Sequence, residues 1–253
     1  MTMSAYAALT GAGYRAQVRD KTTLFFTFAF PLLFLVVFGL IFKGQAVEES
    51  GLSYLSYTAA GVLSWGVANA AVFGIAFTLM QWRSDDILRL IRMSPAPLSA
   101  VIGSRYVIAL VVGAVQSLLF VGVAMLPVFG LEPASGWPLL IPVLALGVTT
   151  FLLLGVIIGS FADTPESVAA VANFLMLPMA FLSGSFFPLD SMPDWLGKVS
   201  LVMPLRYLND AVSHALAGRG DSSDVWVGCA GLLVFAVVFG AVAVKTFRWT
   251  RSS

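Results

Sequence analysis

The side chains able to do chemistry are few and unevenly spread. The most charged stretch runs from Arg83 to Arg105 and holds Asp85, Asp86, Arg89 and Arg92. Asp85 and Asp86 in a first helical turn and Arg89 and Arg92 in the last is the order a helix dipole favours. Ser84 is placed to cap that helix, and Asp85 and Arg89 stand at i, i+4 with the acid first. Ile87, Leu90 and Ile91 share one face, and Pro95 and Pro97 end the helix. A short amphipathic helix of this kind either lies against lipid headgroups or docks in a groove of a protein partner.

Other chemistry finds little support. His214 is the only histidine and Cys229 the only cysteine, so neither a histidine metal cluster nor an intrachain disulfide can form. Pairing His214 with Ser183 or Ser185 as a hydrolase lacks a third partner. No G-x-x-x-x-G-K-[ST] or H-E-x-x-H is present, so neither a P-loop ATPase nor a zincin is encoded. A net charge of +1 argues against nucleic acid as a partner. No acid or base falls mid-span, the usual mark of ion-coupled transport. Asn69, Gln116 and Asn173 are the strongly polar uncharged side chains near mid-span, placed to bond across helices.

The elements that carry these residues are long apolar runs. With 59% hydrophobic and 11% charged residues and a mean hydropathy of +0.93, the chain cannot cover a water-facing surface, and most of it must meet lipid. The pattern predicts an all-α integral membrane protein of one transmembrane domain, residues 1–253, with six helices. The spans fall at about 24–42, 56–80, 106–129, 139–161, 167–182 and 225–247, each near the 20 residues a bilayer requires. The runs do not alternate polar and apolar, which excludes a β-barrel. The length of span 1 and its polar lead argue against a cleaved signal peptide. Tyr6, Leu9, Tyr14 and Val18 predict an amphipathic lead-in helix.

Ten Lys and Arg (Arg15, Arg19, Lys21, Arg83, Arg89, Arg92, Arg105, Lys245, Arg248, Arg251) fall on one side of this topology. Four (Lys43, Lys198, Arg206, Arg219) fall on the other. The excess predicts both termini in the cytoplasm. Trp82, Trp137, Trp195 and Trp249 fall near span ends, at headgroup level. Gly155 and Gly159 form a GxxxG, and Gly66 with Ala70 a similar small pair, both suited to close helix contact.

The fifth span is broken. Pro178 stands near its outer end, followed by Ser183, Gly184, Phe186, Phe187 and Pro188, then Asp190, Pro193, Trp195 and Pro204. Such backbone survives at membrane depth only when buried in protein or lining a cavity. A turn near the outer leaflet, with Met192–Val202 re-entering as a short helix, meets that condition. An ordinary Pro- and Gly-rich external loop is the alternative.

Three segments resemble the permease subunit of ABC-2-type exporters, close to the bacterial drug-resistance type. The first is Arg19-Asp-Lys-Thr-Thr-Leu-Phe-Phe-Thr-Phe-Ala-Phe-Pro31, running on to Phe38-Gly39. The second is Asp86-Ile-Leu-Arg-Leu-Ile-Arg-Met-Ser-Pro95, with Gly103 and Arg105. The third is Leu177-Pro-Met-Ala-Phe-Leu-Ser-Gly-Ser-Phe-Phe-Pro188, then Met192-Pro-Asp-Trp-Leu196 and Pro204-Leu-Arg-Tyr207. One departure stands out: where the family often has acid-x-Gly-Thr before its coupling helix, this sequence reads Ser84-Asp-Asp-Ile87, without glycine.

The resemblance implies a transport subunit rather than an enzyme, in the bacterial cytoplasmic (inner) membrane. It has no cofactor of its own, and ATP and Mg are used on a separate P-loop ATPase. Asp85, Asp86, Ile87, Arg89, Leu90, Ile91, Arg92 and Pro95 form the cytoplasmic coupling helix. Ser183, Gly184, Phe186, Phe187, Pro188 and Trp195 belong to an external re-entrant hairpin, residues 183–204. A second permease, identical or homologous, completes a dimer in membrane lipid. The path for an amphiphilic or hydrophobic drug, antibiotic, lipid or glycolipid is expected at Val67, Ala71, Gly74, Phe174 and Leu177. A membrane anchor without its own path and an ATP-independent secondary transporter are the alternatives.

Overall fold

The computed structural model describes residues 10, 11, 13–15, 17–42, 54–93, 98–187 and 192–247. Among them the chain is all-helical. Residues 10, 11, 13–15 and 17–19 are helical. Helix α1 then runs through Lys21–Leu24, a π-helical turn Phe25–Ala29, and Phe30–Ile41. It is followed by α2 (Tyr54–Ser84), α3 (Ile87–Met93), α4 (Leu98–Ala124) and α5 (Leu140–Phe161), the last entered through a 3-10 turn at Trp137–Leu139. Then come α6 (Pro165–Leu182), α7 (Asp194–Ser200), α8 (Pro204–Ala217) and α9 (Ser222–Thr246).

Five helices among the described residues are long and apolar enough to cross a membrane: Tyr54–Ser84, Val101–Ala124, Trp137–Phe161, Pro165–Leu182 and Ser222–Thr246. The first crossing expected from the sequence corresponds to a shorter apolar helix, Phe25–Ile41. On the lead-in helix, Gly13 faces Arg105 and Ile108, while Tyr14 and Val18 are exposed. Tyr6 and Leu9 lie outside the described residues.

Helix α2 is the axis of the bundle, packed by α1, α4, α5, α6 and α8. Its Ala59, Ala60, Gly61, Ser64 and Ala68 are fully or nearly buried, and side chains this small let neighbouring backbones approach. The Gly155/Gly159 pair sits in that contact. A Cβ on Gly155 would lie 2.5 Å from the Val72 carbonyl oxygen, and one on Gly159 would lie 2.8 Å from that of Ala76. Gly66 serves a different neighbour, meeting Gln116 of α4 and Pro31 of α1. Thr150 ties α5 to α9 by donating to the Leu232 carbonyl at 3.1 Å. The outer faces of α4 and α9 present Leu118, Val234 and Val237, as lipid contact requires.

Several boundaries differ from the sequence expectation. The third span is Leu98–Ala124, not 106–129, so Arg105 is no loop charge: its guanidinium lies 4.3 Å from the Trp82 ring centroid. Helix α6 continues through Pro178 to Leu182, with Thr164 and Ser167 capping its start reciprocally. Pro178 is exposed, so its missing hydrogen bond disturbs no packed neighbour. Helix α8 was not expected. The stretch around His214, between the fifth and sixth expected spans, is a helix with Leu205, Leu208, Ala211, Val212, Ala215 and Leu216 completely buried. The signal was present: apolar residues at helical spacing, Pro204 at the first turn and Gly218 (φ 66°) just past the end.

Candidate functional site

Two constructions share α2, one at each of its ends, with a cavity between them.

At the C-terminal end of α2, Ser84 is the last helical residue, not the cap of the next helix. Asp85 and Asp86 form the turn, with Asp86 at φ 55°. Asp tolerates this left-handed conformation better than most residues with a side chain, so the glycine missing from the sequence is replaced in conformation by Asp86. Helix α3 therefore starts at Ile87, and Asp85, outside it, is no i, i+4 partner on the same helix for Arg89. Leu88, not Leu90, is the buried residue: it is 1% exposed, and Ile91 packs with it among Ile75, Leu79, Leu152 and Val156. Ile87 is half-buried, and Arg89, Leu90 and Met93 are exposed. The Arg92 side chain and Pro95 lie outside what is described.

Next to this turn Arg83 is buried. Its Nη1 donates to the Ser160 carbonyl and its Nη2 to that of Ala162, and Nη2 lies 3.0 Å from the Asp163 carboxylate. A guanidinium thus closes the C-terminal end of α5, where the helix leaves carbonyls without amide partners and a cation is favoured. The sequence reading counted Arg83 only as one of the ten positive charges.

At the other end of α2 sits the segment after α6. Ser183, Gly184, Ser185 and Phe186 are buried, Phe187 is 45% exposed, and Pro188 lies outside the described residues. Tyr57 donates to the Gly184 carbonyl at 2.6 Å, Tyr54 to that of Phe186 at 3.3 Å, and Asn209 to that of Ser183 at 3.3 Å. These bonds satisfy backbone that a helix would have satisfied internally. Gly184 has φ 75°, and Gly61 admits the Ser185 backbone so closely that a Cβ would lie 2.5 Å from its carbonyl carbon. Ser183 and Ser185 share a hydroxyl contact of 3.0 Å, while His214 Nδ1 lies by the carbonyls of Arg219 and Gly220, so no Ser–His pair forms. Trp195, on α7, is 63% exposed.

Phe186 enters an aromatic cluster. Its ring centroid is 5.6 Å from Trp65, 5.7 Å from Phe34, 6.0 Å from Phe38 and 5.8 Å from Phe181. Offset and edge contacts of this kind contribute roughly 0.5–1.5 kcal/mol each beyond area burial.

Below the cluster lies a cavity of about 1200 Å³ between α1, α2, α4 and the start of α6. One end carries Asp20, Asp85, Asp163 and Arg105, and the other reaches Phe30, Pro31, Trp65 and Gly66. At 1.5 Å per residue, the distance along α2 from Trp65 to Asp85 is about 30 Å. Phe26 and Thr27, in the π-helical turn of α1, line its wall, as do Phe73, Phe77 and Asn173. Of the five path residues named from the sequence, Ala71 and Gly74 line the cavity. Val67 is buried, 3.6 Å from where a Cβ on Gly113 would stand. Phe174 and Leu177 are exposed on the outer side of α6.

A long cavity, charged at one end of its lining and aromatic at the other, suits passage of a molecule. Comparison with known proteins agrees. The family profile described as "ABC-2 type transporter" matches residues 4–217, most of the chain.

The chain belongs to the ABC-2 type transporter family.

Its curated relatives are similar at modest identity. The inner membrane transport permease YadH of Escherichia coli strain K12 is 24% identical over 210 residues, 82% of this chain and 80% of that protein. The linearmycin resistance permease protein LnrN of Bacillus subtilis is 25% identical over 185 residues, 70% of this chain and 46% of that protein. Nodulation protein J of Sinorhizobium fredii is 27% identical over 214 residues, 80% of this chain and 77% of that protein. This ABC-2 family member is thus a multi-pass membrane transport permease.

Proposed function

We propose that this permease is the transmembrane subunit of an ATP-driven exporter that moves an amphiphilic or hydrophobic molecule out across the cytoplasmic membrane of a bacterium. The observation that carries this reading is the cavity: its lining is charged at one end, with Asp20, Asp85, Asp163 and Arg105, and aromatic at the other, where Phe30 and Trp65 adjoin Phe34 and Phe186. Similarity to a permease that bears the name of linearmycin resistance supports export of such a molecule.

The ATPase is a separate P-loop chain that binds ATP and Mg. It docks on the turn at Asp85 and Asp86 and on α3, where Ile87, Arg89 and Leu90 are available and Leu88 and Ile91 anchor the helix to the bundle. Closure of two ATPases pushes α3. Arg83 passes that push to α5, and the bundle moves between states open to either side. Two permeases act together. Helix α1 is the first of six crossings: continued through Lys21–Leu24, it reaches about 30 Å at 1.5 Å per residue. Both termini are then cytoplasmic, in line with the excess of Lys and Arg on that side. Ala71 and Gly74 line the path, and opening of the aromatic cluster extends it past the hairpin at Ser183–Phe187.

The test is co-purification with a co-expressed candidate P-loop ATPase, followed by ATP-dependent uptake into inverted vesicles. The expected result is stoichiometric recovery of both chains and uptake that requires ATP. Uptake that persists without ATP and follows an ion gradient would establish a secondary transporter instead. Complex formation without uptake of any amphiphile would leave an anchor.

A further inference from the structure

At the charged end of the cavity, one charge lacks a counter-charge. Asp163 pairs with Arg83 at 3.0 Å. Asp20 accepts from the Thr23 amide at 3.0 Å and from the Thr23 hydroxyl at 2.5 Å. Asp85 is exposed in the turn after α2. Arg105 is different. Among the described residues it has no hydrogen bond and no ion pair, and its guanidinium rests on the ring of Trp82. Its Nε is buried without a partner, yet the residue lines the cavity, so the guanidinium meets that space through Nη1 and Nη2. The lead-in helix passes nearby at Gly13, where a Cβ would lie 3.2 Å from Nη1.

A guanidinium held between helices loses more hydration than one cation–π contact returns, and a counter-charge is what restores the balance. Packing on Trp82 alone needs no charge, since an uncharged side chain of similar length would cover the ring.

Beyond Arg105 the lining turns apolar. Helix α4 runs antiparallel to α2: Arg105 meets Trp82, and a Cβ on Gly113 would lie 3.6 Å from Val67. Ile108, Ala109 and Val112 follow Arg105 at i+3, i+4 and i+7, so one face of α4 lines the cavity with a charge and then with aliphatic side chains. From Arg105 to Val112 that face runs about 10 Å. The charged lining groups are Asp20, Asp85, Arg105 and Asp163, so none lies farther along toward Trp65. Asp20 and Asp85 also limit the charge that Arg105 can receive. One negative charge pairs with the guanidinium, while a second meets like charge from the carboxylates.

We infer that Arg105 receives a singly charged anionic group (a phosphodiester, carboxylate or sulfonate) at the head of an amphiphile whose apolar part lies along Ile108, Ala109 and Val112. Nη1 and Nη2 donate to two oxygens of that group, the fork geometry that suits such anions. Trp82 holds the guanidinium in place. The head belongs either to a phospholipid of the surrounding leaflet or to the transported molecule. The inference rests on the reading of the cavity as the substrate path and adds the charge and orientation of what enters it.

Three photoactivatable probes test it, sharing one benzophenone-bearing alkyl chain and carrying a methyl phosphodiester, a neutral polyol or a quaternary ammonium. Each is crosslinked to the permease–ATPase complex in phosphatidylcholine nanodiscs, and labelled peptides are identified by mass spectrometry. The phosphodiester probe is expected to label the segment from Ile108 to Val112 well above the other two. Arg105→Gln lowers that labelling about tenfold, as loss of a charge-assisted hydrogen bond implies, and leaves polyol labelling unchanged. Arg105→Lys keeps the charge without the fork and lowers it less. In the unsubstituted complex, added phosphatidylglycerol displaces the phosphodiester probe and diacylglycerol does not. Retention of phosphatidylglycerol by the purified complex, lost in Arg105→Gln, assigns the head to bilayer lipid. Uptake of the phosphodiester probe into inverted vesicles that needs both ATP and Arg105 assigns it to the cargo. Equal labelling by all three probes, equal displacement by both lipids, or phosphodiester labelling unchanged in Arg105→Gln overturns the subsite. ATP-driven uptake of the probes that ignores Arg105 also overturns it, while leaving the exporter reading intact. Arg105-dependent labelling with no ATP-driven movement of any probe sinks the exporter reading while leaving the subsite.

Discussion

Arg83 Nη2 lies 3.0 Å from Asp163 Oδ1, across the junction between the end of α2 and the turn between α5 and α6. The Arg83 side chain is 2% exposed and that of Asp163 37%. Arg83 therefore depends on the pair more than Asp163 does. Arg83→Gln is expected to lower the stability of the purified permease by about 3 kcal/mol, because Asp163 and two helix-end carbonyls lose a buried cation. Asp163→Asn costs less, since the carbonyls still hold the guanidinium. Thermal unfolding of the three proteins in one detergent checks the order, and equal midpoints would dismiss the clamp.

The buried turn after α6 makes a second prediction. Gly61→Ala drives a Cβ against the Ser185 backbone, which cannot rotate aside. Gly184→Ala forces a side chain into a left-handed conformation at a cost of about 1–2 kcal/mol, and Tyr57→Phe removes one hydrogen bond worth about 1 kcal/mol. Gly61→Ala should be the most damaging of the three. Alkylation of an introduced cysteine at Ser185 reports the effect, rising most in the Gly61→Ala background.

On α3 the two neighbouring leucines separate folding from coupling. Leu88→Ala empties a packed site and costs about 2–5 kcal/mol in stability. Leu90→Ala, at a position 61% exposed, changes stability by about 0.5 kcal/mol or less. Yet Leu90→Ala is the one expected to lower substrate-stimulated ATPase activity. Normal stimulation in that variant would move the docking surface elsewhere.

The glycines of α5 and α9 are not equivalent. Gly159→Val pushes α5 off α2 and is expected to cost about 1–3 kcal/mol. Gly240→Val, where the nearest atom to a Cβ is Leu153 Cδ1 at 3.7 Å, is nearly neutral. Thermal midpoints measured side by side decide it.

Much of this architecture is legible in the chain. Long apolar runs have one solution in lipid, the helix, because only it satisfies every backbone group within the segment. Helices α2, α4, α5, α6 and α9 follow from that constraint alone. The stop after Leu182 was equally readable from Ser183, Gly184 and Pro188. Helix α8 was missed because polar residues such as Arg206, Asp210 and His214 alternate with its buried face and lower its average hydropathy. On α3 the sequence did not show that Leu88 packs inward while Leu90 stays exposed. The sequence shows an apolar stripe on a short helix, but the direction it faces depends on where the helix starts, and the Asp86 turn sets that start.

The sequence by itself determined a helical membrane protein and the approximate places of its apolar helices, since hydropathy is a local property. The tertiary structure alone decided that Arg83 clamps α5, that Phe186 packs on Trp65 at the aromatic end of the cavity, and that Gln116 stands behind Gly66. Each of these joins residues far apart in the chain. In an apolar bundle nearly every side chain resembles its neighbours, so only packing selects which of them meet.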